Sequence, residues 1–225
     1  MARFYAECDG RVFLVQKAGR WTLAASTAEF PFSVREKFRV RILGEDVVHS
    51  DADLQTTPDA GGNWWWKDEA VHRDDVDEVT RQAMYRTMPR AVSKLAIVRG
   101  PAGQREVLLH VTKVGFWIGN WSLTGGYLSY GESPEQAAGR EAKEEMGIEA
   151  KVHDLLAMDA ALYDENGNWF ITFCYLGSTD ATTFRPKEDE VGEIRWFPLK
   201  EAVSLVKSRI DRKGLVALVA REGGA

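Results

Sequence analysis

The stretch GYLSYGESPEQAAGREAKEEMGI, residues 126–148, sets the tightest limit on what this chain can fold into. Ser133 followed by Pro134 is a helix start, and the run to Met146 has no internal proline and is rich in Ala, Glu, Lys and Gln. Gly147 supplies the stop. At about 100° per residue, Glu141, Glu144 and Glu145 fall within an arc of about 100°. Like charges so placed repel, and the one nearby lysine, Lys143, points the other way. A helix serving only solubility would interleave lysines there. Three carboxylates beside a glycine turn instead make an oxygen-rich site suited to a hard divalent cation such as Mg²⁺ or Mn²⁺. Arg140, one turn before Glu144, is placed to hold that carboxylate.

The same stretch resembles the Nudix box, G-x5-E-x7-R-E-U-x-E-E-x-G-U. Gly126, Glu132, Arg140, Glu141, Glu144, Glu145 and Gly147 occupy its fixed positions. Ala142, small for its slot, and Ile148 occupy the hydrophobic ones. The resemblance extends over about residues 92–208, ending in a return strand EVGEIRWFPL and a helix. It implies an α/β fold, a Nudix α/β/α sandwich with a mixed sheet, preceded by a small β-rich N-terminal domain. It also implies hydrolysis of a nucleoside diphosphate linked to a further group, by water attacking phosphorus with divalent-metal assistance. Glu141, Glu144, Glu145 and the carbonyl of Gly125 would be the metal ligands, with Glu132 bracing the loop through Arg140. The proton acceptor is Glu144 or Glu145, or a carboxylate of the loop Lys187-Glu188-Asp189-Glu190, where Glu188 and Glu190 are the candidates. Arg185 and Lys187 are candidates for phosphate contact, and Trp117, Tyr127 and Tyr163 for the rest of the substrate. Relatives often carry Pro where this chain has Thr124, so the approach to the box differs here.

Composition excludes several partners. The chain has 225 residues, 44% hydrophobic and 28% charged, with net charge −5. No basic stripe marks an extended nucleic acid or an anionic membrane as partner. A small-molecule nucleotide remains compatible, because a bound cation reverses the local field. The N-terminal MARFYAECDGR lacks the apolar run of a signal peptide or anchor. Cys8 and Cys174 have no CxxC spacing, which fits a reducing cytoplasm and no zinc site. The four histidines, His49, His72, His110 and His153, show no ligand spacing and receive no role.

The first 90 residues belong to no family the sequence suggests. Short strands are expected at Arg3–Glu7, Arg11–Lys17 and Trp21–Ala24, then at Val34–Leu43 and Glu45–His49. A polar loop is expected over Ser50–Gly62, leading to three tryptophans, Trp64 to Trp66, and an amphipathic helix over Asp74–Met88. Pro89 ends it, which sets domains at residues 1–90 and 91–225. The segment RVFLVQKAGRWTL, residues 11–23, echoes REVLLHVTKVGFWIGNWSL, residues 105–123. The echo reads either as a degenerate half of the same fold or as two similar amphipathic strands. No acidic helix follows the first copy, so metal chemistry is expected of the second alone. The first domain would cap the substrate cleft or build a homodimer.

Two rivals stay open at this stage. One is a Nudix-fold module that senses a nucleotide without turnover, although such modules commonly lose box glutamates and this box is intact. The other is an isomerase resembling isopentenyl diphosphate isomerase, whose chemistry needs a cysteine near the site; neither Cys8 nor Cys174 is near the box in sequence.

Overall fold

A computed structural model describes residues 2–54, 61–162 and 167–223. The chain divides into two compact units, Met1–Pro89 with Leu162–Trp169, and Arg90–Ala161 with Phe170–Ala225.

The first unit runs β1 (Ala2–Cys8), β2 (Arg11–Phe13), β3 (Val15–Lys17), β4 (Arg20–Thr22), a 3-10 turn Thr27–Glu29, β5 (Ser33–Ile42), β6 (Glu45–Asp53), β7 (Trp64–Trp66), α1 (Lys67–Ala70) and α2 (Glu78–Thr87). Its main sheet has the order β5-β6-β1-β2-β7, with β1 and β6 parallel. The expected loop over Ser50–Gly62 is shorter than its polarity suggested. β6 continues to Asp53 because β1 on one side and β5 on the other satisfy its backbone. Residues 55–60 of that loop lie outside the described residues. The expected helix over Asp74–Met88 begins only at Glu78, because Asp77 takes the cap position and its carboxylate accepts the Thr80 N–H at 3.2 Å. Of the three tryptophans, Trp64 is buried and stacks on Phe32, and Trp65 meets Trp21 edge-on. Trp66 lies under the Arg11 guanidinium, 3.9 Å from its ring centre.

The second unit runs β8 (Arg90–Arg99), β9 (Glu106–Thr112), a 3-10 turn Gly115–Trp117, β10 (Trp121–Ser122), β11 (Thr124–Tyr127), α3 (Pro134–Met146), β12 (Lys151–Leu162), β13 (Trp169–Ser178), β14 (Val191–Pro198), α4 (Leu199–Leu205) and α5 (Arg209–Gly223). The sheet is mixed: β13 is parallel to β8, while β11 is antiparallel to β8 and β14 to β9. Alternation along β8 sends its residues to opposite layers. Leu95 and Ile97 pack with Ala138, Ala142 and Met146 of α3, whereas Ala96 and Val98 join Leu199, Ala202, Ile210 and Leu218 of α4 and α5. Helices thus cover both faces, an α/β/α sandwich. The edge strand β12 is closed by α5, whose Arg209, Lys213 and Arg221 donate to the carbonyls of Ala160, Met158 and Leu155 at 3.0, 2.9 and 3.0 Å.

The two units repeat one order of pairing. β1 with β6 matches β8 with β13, β5 matches β12, and β7 on β2 matches β14 on β9. Phe4 bridges Ala24 as Leu95 pairs with Thr124. The N–H of Lys67 donates to Gly10 O as that of Leu199 donates to Arg105 O, so the short helices α1 and α4 also correspond. A polar strut recurs at the matching place. In the first unit Arg3 donates to Thr22 Oγ1 at 2.6 Å and to Asp77 at 2.8 Å. In the second, Lys94 donates to Ser122 Oγ at 3.1 Å, and Ser122 to Asp211 at 2.8 Å. Each strut ties the first strand of its sheet to the last helix of its unit.

Candidate active site

Helix α3 carries the box because its ends are well fixed. Ser133 and Gln136 form a reciprocal capping box, Pro134 opens the first turn, and Gly147 closes the last at φ 68°. Its inner face is Ala137, Ala138, Ala142 and Met146, all buried. Ala142, small for its slot, is one of the residues that let the helix lie close on the sheet. The position of the acidic edge is therefore set by packing rather than by the acids.

Opposite that edge, β11 pairs with β8, with Gly125 facing Lys94 and Gly126 facing Ser93. A Cβ on Gly126 would stand 2.7 Å from the carboxyl carbon of Glu141, and one on Gly125 would stand 2.8 Å from Lys94 Cα. Only glycine allows this approach of backbone to carboxylate.

Arg140 is the hub of the site. It grips Glu132 with two hydrogen bonds of 2.8 and 3.0 Å and the Tyr127 carbonyl with one of 2.8 Å. Its Nη1 also donates to Glu141 at 2.8 Å and to Glu144 at 3.0 Å. The guanidinium is raised above its usual range, chiefly by the bond to Glu132. Glu145 is held apart from this hub. Its Oε2 accepts from the Thr124 hydroxyl and, at 3.0 Å, from the Gly125 N–H. Burial pushes Glu141 and Glu145 above the usual carboxylate range, and Glu145 and Glu144 add to the push on Glu141.

The loop after β13 is fastened to the end of α3. Arg185 N–H donates to Met146 O at 2.8 Å and Lys187 N–H to Glu145 O at 2.9 Å. Glu190 is engaged by the Lys187 ammonium, and its charge is among those that raise Glu145. Glu188 is exposed, its carbonyl taking a 2.6 Å bond from Lys113. The Arg185 side chain is exposed.

Of the residues expected at the substrate, Tyr127 is exposed and lies against Phe170, ring centres 6.1 Å apart. Trp117 is half-buried, and it is its neighbour Phe116 that meets Phe170 edge-on at 5.5 Å. Tyr163 lies outside the described residues. From the sequence Phe116 and Phe170 were not considered, His110 was given no role, and Thr124 was noted only as a departure at the entry to the box. His110 is 1% exposed, with Nε2 3.7 Å from Glu145 Oε2. Burial, helped by Lys94, pushes it down to about 4. Its place at the end of the apolar run of residues 107–109 was the signal, and that signal reads as core.

The donors fit a hard divalent cation. They are all oxygens on one helix edge, two are raised by burial, and a glycine cradle faces them. Among the described residues, no three His, Cys, Asp or Glu side chains already stand close enough to hold a metal, and Arg140 takes up the oxygens of Glu141 and Glu144. Cys174 is buried in the sheet and its thiol is pushed up by that burial, so it is no candidate nucleophile or acid. Among the described residues no helix is long and apolar enough to cross a membrane.

Comparison with known proteins agrees with this architecture. A family model described as the NUDIX domain matches residues 89–219. A MutT NUDIX hydrolase from Burkholderia pseudomallei superposes with a TM-score of 0.50 at 27% identity, covering 58% of this chain and 98% of that one. An Ap4A hydrolase from C. elegans, solved as a binary complex, gives 0.51 at 23% identity, with 60% and 99% covered. The NUDIX domain of NrtR from Shewanella oneidensis, complexed with ADP ribose, gives 0.51 at 19% identity, with 62% and 90% covered. The chain belongs to the Nudix family. It is a hydrolase of pyrophosphate bonds, in a family whose members generally use divalent metals such as Mg²⁺.

Proposed function

We propose that the chain cleaves the phosphoric anhydride of a nucleoside diphosphate linked to a further group, with Mg²⁺ or Mn²⁺ held by Glu141, Glu144, Glu145 and the Gly125 carbonyl. The observation that carries this is the edge of α3, where Arg140 organises two of three carboxylates against the Gly125–Gly126 backbone. When bound, the cation would neutralise phosphate oxygens and stabilise the leaving phosphate. The chain's own residues do the rest. Arg140 and Glu132 keep the β11–α3 loop in place, so the carboxylates face the diphosphate from one side. Glu144, the most exposed of the three at 51%, is assigned the water proton. Arg185 and Lys187, anchored by their backbone to the end of α3, are assigned to the phosphate oxygens. The exposed ring of Tyr127, backed by the buried Phe170, offers an aromatic face for a nucleobase.

The similar Ap4A hydrolase and the similar domain complexed with ADP ribose suggest where to begin a substrate panel, with dinucleoside polyphosphates and ADP-ribose. Purified protein and Glu145→Gln are incubated with each compound, with nucleotide sugars and with nucleoside triphosphates, in Mg²⁺ and in Mn²⁺, and products are read by mass spectrometry. Cleavage by the wild type alone supports the proposal, and the product pair identifies the group removed. Tight binding of a nucleotide without cleavage of any compound would replace it with a sensing role.

A further inference from the structure

The repeat between the units isolates two residues that serve Glu145. Val15 of β3 pairs with Thr22 as His110 of β9 pairs with Ser122, and Ala24 bridges Phe4 as Thr124 pairs with Leu95. Val15 and Ala24 are therefore the first unit's counterparts of His110 and Thr124. The first unit has a 3-10 turn, Thr27–Glu29, where the second has α3, and both counterparts there are apolar. In the second unit both positions are polar, and both aim at one atom. The Thr124 hydroxyl donates to Glu145 Oε2, and His110 Nε2 stands 3.7 Å from it. The buried His110 ring has no side-chain hydrogen-bond partner among the described residues, and only the backbone of Leu123 and Val111 stands beside its nitrogens. Burying such a ring is costly where valine packs the same position in the repeat. The cost is understandable if the ring serves the carboxylate beside it.

We propose that Thr124 and His110, with the Gly125 N–H, form a clamp that fixes Glu145 Oε2 and leaves Oε1 as the oxygen offered to a divalent cation. Oε1 accepts no hydrogen bond among the described residues. Thr124 and His110 are positioning residues, acting on the substrate only through Glu145. The inference rests on the metal-site reading above.

The test uses the full chain and two readouts, binding of Mn²⁺ alone by paramagnetic resonance and steady-state kinetics on the compound cleaved in the panel. Thr124→Ala, which copies Ala24, is expected to weaken Mn²⁺ and lower kcat by about 10-fold each, with KM unchanged within about 2-fold. Thr124→Ser should restore both, and His110→Val, which copies Val15, should give a smaller loss of about 3-fold. In the Glu145→Gln background Thr124→Ala should change nothing further. The clamp is overturned if Thr124→Ala binds Mn²⁺ like wild type, if Thr124→Ser is as impaired as Thr124→Ala, or if the loss persists without the Glu145 carboxylate. Should Thr124→Ala fail to fold, His110→Val and Thr124→Ser carry the same comparison. Wild type that neither binds Mn²⁺ nor turns over would sink the site reading itself, whereas an active wild type with indifferent variants sinks the clamp alone.

Discussion

The two units solve one packing problem with different materials. In the second, the sheet face bearing Leu95, Ile97 and Leu108 is covered by Ala138, Ala142 and Met146 of α3. In the first, the matching face of Phe4, Ala6, Phe13 and the β7 residue Trp64 is covered by Phe30 and Phe32. Phe13 alone meets Phe30, Phe32 and Trp64 at ring-centre distances of 5.1, 5.4 and 5.5 Å. Aromatic rings thus fill the place of a thirteen-residue helix. The fold requires that this face be covered and is indifferent to how. The proposed chemistry resides in the cover: the small inner residues of α3 seat it close to the sheet, and its acidic edge faces away from that packing.

The sharpest break in the comparison should come from that edge. Glu145→Gln is expected to lower turnover by about three to four orders of magnitude, about 4–5 kcal/mol, with far-UV circular dichroism unchanged. Glu29→Gln in the 3-10 turn of the first unit should leave turnover within about 2-fold, since among the described residues it meets only Lys17 and the Ala25 N–H. Comparable losses in both variants would mean that the first unit is not chemically silent.

The shared struts come next, because their surroundings differ. Asp211 is fully buried and accepts from both Ser122 and the Leu123 N–H, so Asp211→Ala strands those donors beside the Lys94 charge. A loss of about 3 kcal/mol in urea unfolding is expected. Asp77→Ala should cost about 1–2 kcal/mol, mostly the lost cap, because Arg3 keeps Glu45 at 2.7 Å. Equal losses would show that burial does not separate the two struts.

How far the sequence disclosed this can be traced residue by residue. The ends of α3 were legible because Ser133, Pro134 and Gly147 act through local backbone chemistry. So was the Arg140–Glu144 pair, which needs only helical spacing. The echo of Trp-Thr-Leu in Trp-Ser-Leu was visible, but its meaning required the pairing of Ala24 with Phe4 and of Thr124 with Leu95. His110 was illegible because its partner is 35 positions away and its strand reads as core. The start of α2 was misplaced because Asp74, Asp75 and Asp77 all suit a helix opening, and only the Thr80 contact selects Asp77.

Proton linkage probes the first unit separately. His49 is buried between Tyr5 and Phe38, ring centres 4.8 and 4.6 Å away. Burial, aided by Lys37 and Lys67 and opposed by Glu7, lowers it from 6.5 to about 4. The unfolded chain therefore binds the extra proton between those values. Stability from neutral His49 is complete above about pH 6.5 and is lost as pH falls toward 4, by about 3 kcal/mol at most. His49→Phe should flatten the fall in urea midpoint over that range relative to wild type. An unchanged slope would place the acid sensitivity elsewhere.

The smallest expected effect concerns the cap that starts α3. Ser133 Oγ accepts from the Gln136 N–H at 3.3 Å, and the Gln136 side chain accepts from the Ser133 N–H at 2.9 Å, both exposed. Ser133→Ala removes one of these bonds and should cost about 1 kcal/mol. Turnover should stay within about 2-fold, because Arg140 grips Glu132 and the Tyr127 carbonyl independently of the cap. The cap and the hub would then be separable, one holding the helix together and the other aiming its edge. A large loss of turnover in Ser133→Ala without loss of stability would mean that the first turn of α3 is tuned for catalysis, and that the contrast with the capped but silent α2 lies in the cap as well as in the acids.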